Sequence, residues 1–370
     1  MKKILVIFGT RPEAIKLAPI IINSRKWKSK IKLKVCITAQ HREMLDQVLK
    51  FFDIKPDYDL NLMTKNQTLS CFSSRSLIKV SNLLNQLSPD YIMIQGDTTT
   101  SFISSLAAFY NKIKIIHIEA GLRTYNKYSP FPEEINRVLI SHIADYHFAP
   151  TEIAKKNLLK EGINKNVFVV GNTIVDALNM TLDIIKNKGE GKYLNFFNFL
   201  NFSKKIILVT AHRRESFGEG ISNICEAIKI IATNRNDVEI VYPVHLNPNI
   251  RNVVIDELKN FKNVFLIEPL EYSYFIWLMS KSYLILTDSG GVQEEVAALK
   301  KPCIIMRELT ERIEVVKAGI GKIVGTDVGR IVREVNNLLD SKLSYSNISK
   351  IKNPYGDGNS SLLILEKLLN

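Results

Sequence analysis

The stretch ILVIFGTRPEAIK, residues 4–16, decides how the rest of the chain is read. Its first five residues are all apolar, without alternation, which marks a strand covered on both faces as in a parallel sheet. Gly9 then permits a tight turn, Thr10 can cap a helix and Pro12 suits its first position. A strand running into a capped helix is one βα step. Arg11 and Lys16 would flank that helix N-terminus, a ready site for an anion. No GxGxxG follows the strand, so the dinucleotide fingerprint is absent.

Working outward, similar apolar runs recur at 33–38, 91–94, 113–118 and 167–170, then at 206–210, 238–244, 264–267, 283–287 and 303–306. Helical stretches such as EAIKLAPIIINS, MLDQVLKFF and TSFISSLAAFY lie between them. Repeated strand–helix alternation predicts an α/β, doubly wound architecture. The two series are separated by residues 183–205, rich in Lys, Asn, Gly and Phe, which read as a domain boundary with a helical piece. The expected organisation is a Rossmann-like domain over 1–175, a second over 176–358, and a closing helix over 359–370 packed back on the first. Ligands bind at the carboxyl ends of such strands, so both domains should present their βα loops to one cleft.

Bulk composition narrows the function classes. The 370 residues are 46% hydrophobic and 24% charged, an ordinary globular balance with room for two domains. No apolar run approaches the roughly 20 residues of a membrane span. The start of the chain lacks a signal-peptide cleavage pattern, and Cys36, Cys71, Cys225 and Cys303 show no paired spacing, so a cytoplasmic location is expected without disulfides or a metal site. The net charge of +13 raises nucleic acid as a partner. Its lysines are scattered and not interleaved with aromatics, which argues against that class.

The unusual residues fall just after the apolar runs. GDTTT (96–100) supplies Asp97, either an N-cap or a functional carboxylate. HIEAGLRTYNKYSPFPEE (117–134) places Glu119, Arg123 and the Glu133–Glu134 pair on a loop stiffened by Pro130 and Pro132. Ion pairs of these glutamates with Arg123 and Arg137 are the structural alternative. In the second half, TAHRRES places His212 and Arg213 at a strand end, and VYPVHLNP places His245 likewise. TDSGGVQEE opens a helix at Ser289, Gly290 and Gly291, whose N–H groups can hold a phosphate, with Glu295 a turn later for ribose hydroxyls. RELTERIE adds Arg307 and Arg312. The first half thus offers carboxylates and the second a phosphate cradle. Carboxylates facing a sugar suggest proton transfer or oxocarbenium stabilisation.

Taken together, FGTRPEAIK, TAQHREMLDQVL, GDTTT, HIEAGLRTYNKYSPFPEE, GNTIVDAL, TAHRRESFGEG, VYPVHLNPN, LTDSGGVQEE, TER and NPYGDG resemble the non-hydrolysing UDP-N-acetylglucosamine 2-epimerases, over essentially the full chain. The resemblance implies two Rossmann-like domains of the glycosyltransferase-B type, usually in a homodimer, with no cofactor and no metal. It implies Asp97, Glu119 and Glu133 as the essential carboxylates and His212 near the leaving phosphate. Arg11, Lys16, Arg137, Arg213, His245, Phe275, Ser289, Gly290, Gly291, Glu295 and Arg312 would bind substrate. Leu270 stands where close relatives have Gln for uracil, Phe131 replaces the usual Trp, and Ile313 the usual Pro. Some relatives hold a second UDP-N-acetylglucosamine as activator. Gln40, His41 and Arg42 match that neighbourhood, but Glu43 and Asn66 replace its Gln and Arg, which leaves activator dependence open.

The implied reaction interconverts UDP-N-acetylglucosamine and UDP-N-acetylmannosamine through elimination of UDP to 2-acetamidoglucal and re-addition. Rival readings on the same fold are a hydrolysing 2-epimerase, an epimerase of a related UDP-diacetamido sugar, and a glycosyltransferase. A non-catalytic sugar-nucleotide sensor is the rival from another class.

Overall fold

The computed structural model describes residues 1–39, 42–64, 67–213 and 217–369. They fall into two units, Met1–Asn179 with Tyr355–Asn370, and Met180–Pro354. The first carries β1 (Lys2–Phe8), β2 (Ile31–Ile37), β3 (Tyr58–Asp59), β4 (Tyr91–Gln95), β5 (Lys114–Ile118), β6 (Tyr146–Ala149) and β7 (Val167–Val169). These pair in the order β3-β2-β1-β4-β5-β6-β7, each described pairing parallel. The second carries β8 (Lys205–Thr210), β9 (Val238–Pro243), β10 (Val264–Ile267), β11 (Leu284–Thr287), β12 (Cys303–Ile305) and β13 (Gly321–Ile323). Their order is β10-β9-β8-β11-β12-β13, again parallel.

Both sheets are therefore doubly wound, and in each the strand order reverses once. The reversal lies between β1 and β4 in the first sheet and between β8 and β11 in the second. Loops at the carboxyl ends of those strands form the crevice where such folds bind ligands. The central strands are buried on both faces: Val6, Ile7, Phe8, Leu208 and Val209 are fully enclosed. Three strands had no counterpart among the apolar runs. β3 has two residues, β6 (YHFA) contains His147, and β13 (GKI) contains Lys322. Such short segments are carried by neighbouring strands rather than by their own pattern.

The stretch 183–205 carries the expected helical piece and lies within the second unit, which begins at Met180. The helix Thr173–Lys188 runs into it, a second helix spans Gly191–Phe196, and both Tyr193 and Phe197 are fully buried. Their rings stack on Trp277 at 5.8 Å and 5.3 Å between centroids. Spaced four residues apart, the two aromatics seat the segment on the helix Tyr272–Lys281 as part of the second unit's interior. The closing helix Ser360–Leu369 belongs to the first unit. Asp176 accepts the N–H groups of Ser360 (3.2 Å) and Ser361 (2.8 Å), and Asn23 Nδ2 donates to Ser361 Oγ at 2.9 Å.

Candidate active site

In the first unit, one carboxylate joins the two loops at the point of reversal. Glu13, fully buried on the helix Arg11–Ser24, accepts the N–H of Gly9 (3.0 Å) and both the N–H and hydroxyl of Thr10 (2.8 Å each). Its other oxygen accepts the hydroxyls of Thr98 (2.7 Å) and Ser101 (2.8 Å) from the loop and helix after β4. Burial pushes this carboxyl's pKa up, and the hydrogen bonds oppose the shift. Glu13 thereby fixes the loops that carry Arg11 and Asp97.

Asp97 is not the cap of the next helix. That role falls to Thr98, whose hydroxyl accepts the N–H of Ser101 at 3.0 Å. The Asp97 carboxylate instead faces the buried Arg137 guanidinium at 2.6 Å, and Asn136 Nδ2 donates to its backbone oxygen at 2.9 Å. Asn136 and Arg137 lie one turn after Glu133 on the helix Glu133–Ile143. On the other side, Gly96 N–H donates to Ile118 O at 2.9 Å, and His117 Nε2 lies 2.8 Å from Gly96 O. His117 is completely enclosed, and burial lowers its pKa to about 3, so its ring is neutral.

Glu119 follows β5 with φ of 65°, a left-handed conformation that a non-glycine residue keeps only when its surroundings enforce it. Its carboxylate pairs with the buried Lys16 ammonium and accepts Asn172 Nδ2 at 3.1 Å. The two adjacent glutamates part ways. Glu134 turns inward, accepting the N–H groups of Thr124 (3.0 Å) and Tyr125 (2.9 Å), with Arg137 at 3.4 Å. Glu133 is half-buried at the start of the helix. Arg123 pairs with neither: its buried guanidinium binds Glu161 through two bonds of 2.7 and 2.6 Å. Glu134 thus pairs with Arg137 as the ion-pair alternative expects; Asp97 also pairs with Arg137 and Glu119 with Lys16, and hydrogen bonds tie the Asp97 loop to β5 and to the helix that Glu133 opens.

In the second unit, the loops after β8 and β11 are joined by Asp288, also fully buried. One of its oxygens accepts the N–H groups of His212 and Arg213, each at 2.7 Å, and the other lies 3.4 Å from His212 Nδ1. His212 stacks against His245, with centroids 5.7 Å apart. Burial lowers the His212 pKa; Asp288 opposes the shift, and Arg213 and His245 reinforce it. The helix Gly290–Leu299 begins beside this loop, with Ser289 as N-cap. Its first N–H groups lack intrahelical acceptors, and a Cβ placed on Gly291 would meet nothing within 4 Å. Arg312 borders Gly290 and donates to Glu294 at 2.8 Å. Glu311 lies between Arg312 (3.4 Å) and Arg307 (2.9 Å). Burial alone would raise the Glu311 pKa, but Arg312, Arg307 and Arg213 hold it down at about 2. A helix N-terminus favours an anion through its dipole, and here the Arg312 guanidinium and the Glu311 carboxylate both border it, at 3.5 Å from a Cβ placed on Gly290. Glu295 is buried on the same helix, and Phe275 is half-buried on the helix after β10.

Gln40, His41 and Asn66 lie outside the described residues, as do residues 214–216. Arg42 is held by Asp46 at 3.0 Å and by Asp59, and Glu43 is exposed. Sequence reasoning missed Glu13, Asn172, Asp288, Glu294 and Glu311. A signal existed for Glu13, since Thr10-x-x-Glu13 is a capping box. Among the described residues no group of three or more His, Cys, Asp or Glu could hold a metal ion, and no helix is long and apolar enough to cross a membrane.

Comparison with known proteins gives a consistent result. A family model described as UDP-N-acetylglucosamine 2-epimerase matches residues 24–369. The UDP-N-acetylglucosamine 2-epimerase of Campylobacter jejuni is 51% identical, covering 100% of this chain and 97% of the relative. A crystal structure of the UDP-GlcNAc 2-epimerase from Neisseria meningitidis bound to UDP-GlcNAc superposes with a TM-score of 0.94 at 50% identity, over 99% of each chain. The Methanocaldococcus jannaschii UDP-GlcNAc 2-epimerase, solved with UDP-GlcNAc and UDP, gives 0.84 at 39% identity, again over 99% of each.

Proposed function

The chain belongs to the UDP-N-acetylglucosamine 2-epimerase family, and from that premise we propose that it interconverts UDP-N-acetylglucosamine and UDP-N-acetylmannosamine by elimination and re-addition of UDP. The observation that carries the mechanism is the set of carboxylates Asp97, Glu119 and Glu133 on mutually bonded loops, with Lys16 and Arg137 as countercharges. The C2 proton has no adjacent carbonyl to acidify it. It leaves to a carboxylate as the C2–H electrons form the C1=C2 bond and the C1–O bond breaks, which releases UDP. In re-addition UDP returns to C1 on the face it left, while a second carboxyl delivers a proton to the opposite face of C2, so that C2 alone is inverted.

Departing UDP needs its charge stabilised where it leaves. The N–H groups of Gly290 and Gly291 with Ser289, Arg213 and Arg312 receive the pyrophosphate, and His212 with His245 stands beside it. Glu295 accepts the ribose hydroxyls and Phe275 faces uracil. Arg11 and Lys16 are assigned to phosphate or sugar. The same reading makes the protein a cytoplasmic homodimer that supplies surface-polysaccharide precursor, with Gln40, His41, Arg42 and Glu43 as the place a second UDP-N-acetylglucosamine would occupy in an activator-dependent enzyme.

Incubation with UDP-N-acetylglucosamine in deuterated water, followed by proton NMR, tests this. Deuterium should appear at C2 of both epimers, with UDP still attached. Release of free N-acetylmannosamine would make the enzyme a hydrolysing one, and protium retained at C2 of the product would rule out the solvent-exchanging route.

A further inference from the structure

We propose that Asn172 is a positioning residue for the reaction, orienting the Glu119 carboxylate from the segment through which the chain leaves the first unit. The inference rests on the reading above, in which Glu119 handles the proton at C2. Asn172 is buried, and both ends of its amide are engaged. Oδ1 accepts the N–H of Ile174 at 3.1 Å, at the start of the helix Thr173–Lys188, and Nδ2 donates to Glu119 Oε2 at 3.1 Å. The amide can face only one way. Rotated by half a turn, it would set an oxygen against the carboxylate and an NH₂ against the Ile174 N–H.

The segment itself is held tightly. Asn172 N–H donates to Tyr355 O at 2.8 Å, where the chain re-enters the unit. Gly171, with φ of 86°, lies so close that a Cβ there would sit 2.8 Å from Tyr355 O and 2.6 Å from Ser360 Oγ. A Cβ on Gly356 would meet Gly171 Cα at 3.4 Å. The outgoing and returning strands are thus pressed together, backbone on backbone, and Asn172 carries their position to Glu119. Lys16 supplies charge to the same oxygen from a long, flexible stem. Asn172 supplies direction from a short, doubly anchored one.

This role can be separated from a structural one by Asn172→Asp. Aspartate caps a helix as well as asparagine, so the bond to Ile174 survives, but a second carboxylate now faces Glu119. The expected result is unchanged affinity for UDP and a melting temperature lowered by only a few degrees, because one of the two facing carboxyls takes up a proton and relieves the repulsion. Turnover should fall about 100-fold, the scale of a misplaced catalytic group, with C2 deuterium exchange slowed in parallel. The acidic limb of the kcat profile should move to higher pH, since a neighbouring carboxylate favours protonation of its partner. Should this variant fail to fold, Asn172→Ser retains a capping oxygen that is too short to reach Glu119, and the same readouts apply. Turnover within threefold of wild type overturns the inference, as does a fall in turnover matched by equal losses of stability and UDP affinity. A wild-type enzyme that does not epimerise sinks the functional reading instead.

Discussion

Glu133 and Glu134 are neighbours of identical chemistry with opposite assignments, and substituting each in turn tests the whole reading of the loop. In Glu134→Ala, the N–H groups of Thr124 and Tyr125 lose an acceptor at 3.0 and 2.9 Å, and Arg137 loses a partner at 3.4 Å. Leaving a buried donor bare costs about 1–3 kcal/mol. Both bonds are partly buried, so the two N–H groups share a penalty at the lower end of that range. Breaking a buried ion pair costs roughly 3–5 kcal/mol when the remaining charge is stranded. Arg137 keeps Asp97 at 2.6 Å, so its share belongs well below that range. The total is about 2–4 kcal/mol, which for a unit of this size lowers its melting temperature on the order of 5–10 °C.

Glu133→Gln preserves shape at a half-buried position. Its melting temperature should stay within about 2 °C of wild type, since an isosteric amide at a partly exposed position shifts stability by only roughly 0.5 kcal/mol. Its turnover should drop about 100-fold or more, the usual contribution of an acid–base group. Calorimetric melting and UDP-N-acetylglucosamine turnover, measured on both variants, give the comparison. A Glu134→Ala protein that melts with wild type, or a Glu133→Gln protein that loses stability while keeping its rate, would refute the assignment.

Two further outcomes follow from the same network. His117 and His147 are buried with pKa values lowered to about 3 and about 4, against an ordinary 6.5. As pH falls below 6.5 the unfolded chain takes up protons that the folded chain refuses, so stability is complete above that pH and declines below it. At pH 5 each should cost about 2 kcal/mol, and denaturant titrations equally stable at pH 7 and pH 5 would contradict it. Asp288→Ala, which frees the N–H groups of His212 and Arg213, should weaken UDP binding at least about tenfold, the effect of roughly 1.4 kcal/mol. Calorimetric titration showing wild-type affinity would detach that loop from the nucleotide.

The sequence revealed strand ends far better than it revealed what holds them. A buried parallel strand needs a continuous apolar run, and the turn after it needs glycine or a capping residue, so Gly96–Asp97, Glu119, His212 and Ser289 were visible from local pattern alone. The short strands β3, β6 and β13 were not, because their pairing is dictated by neighbours distant in the chain. The aromatic stretch at 197–202 read as a boundary because its partner Trp277 lies far along the chain.

The same physics explains which site residues escaped notice. Glu13 binds Thr98 and Ser101, Asn172 binds Glu119, Asp288 binds the loop of His212, and Glu294 binds Arg312. Each is a buried polar group satisfied by another loop, and such a group costs stability unless its partner is in place. That constraint exists only in three dimensions. Asp97, Glu119, His212 and Ser289 sit just after strands, where one-dimensional reasoning finds them. Residues that orient them are enclosed between loops and look like ordinary polar positions. Glu134 shows the limit most plainly: nothing in the pair Glu133–Glu134 tells them apart until the backbone of Thr124 and Tyr125 returns to claim one of the two. That backbone claims Glu134, and the assignment of Glu133 to the sugar is what the paired substitutions test.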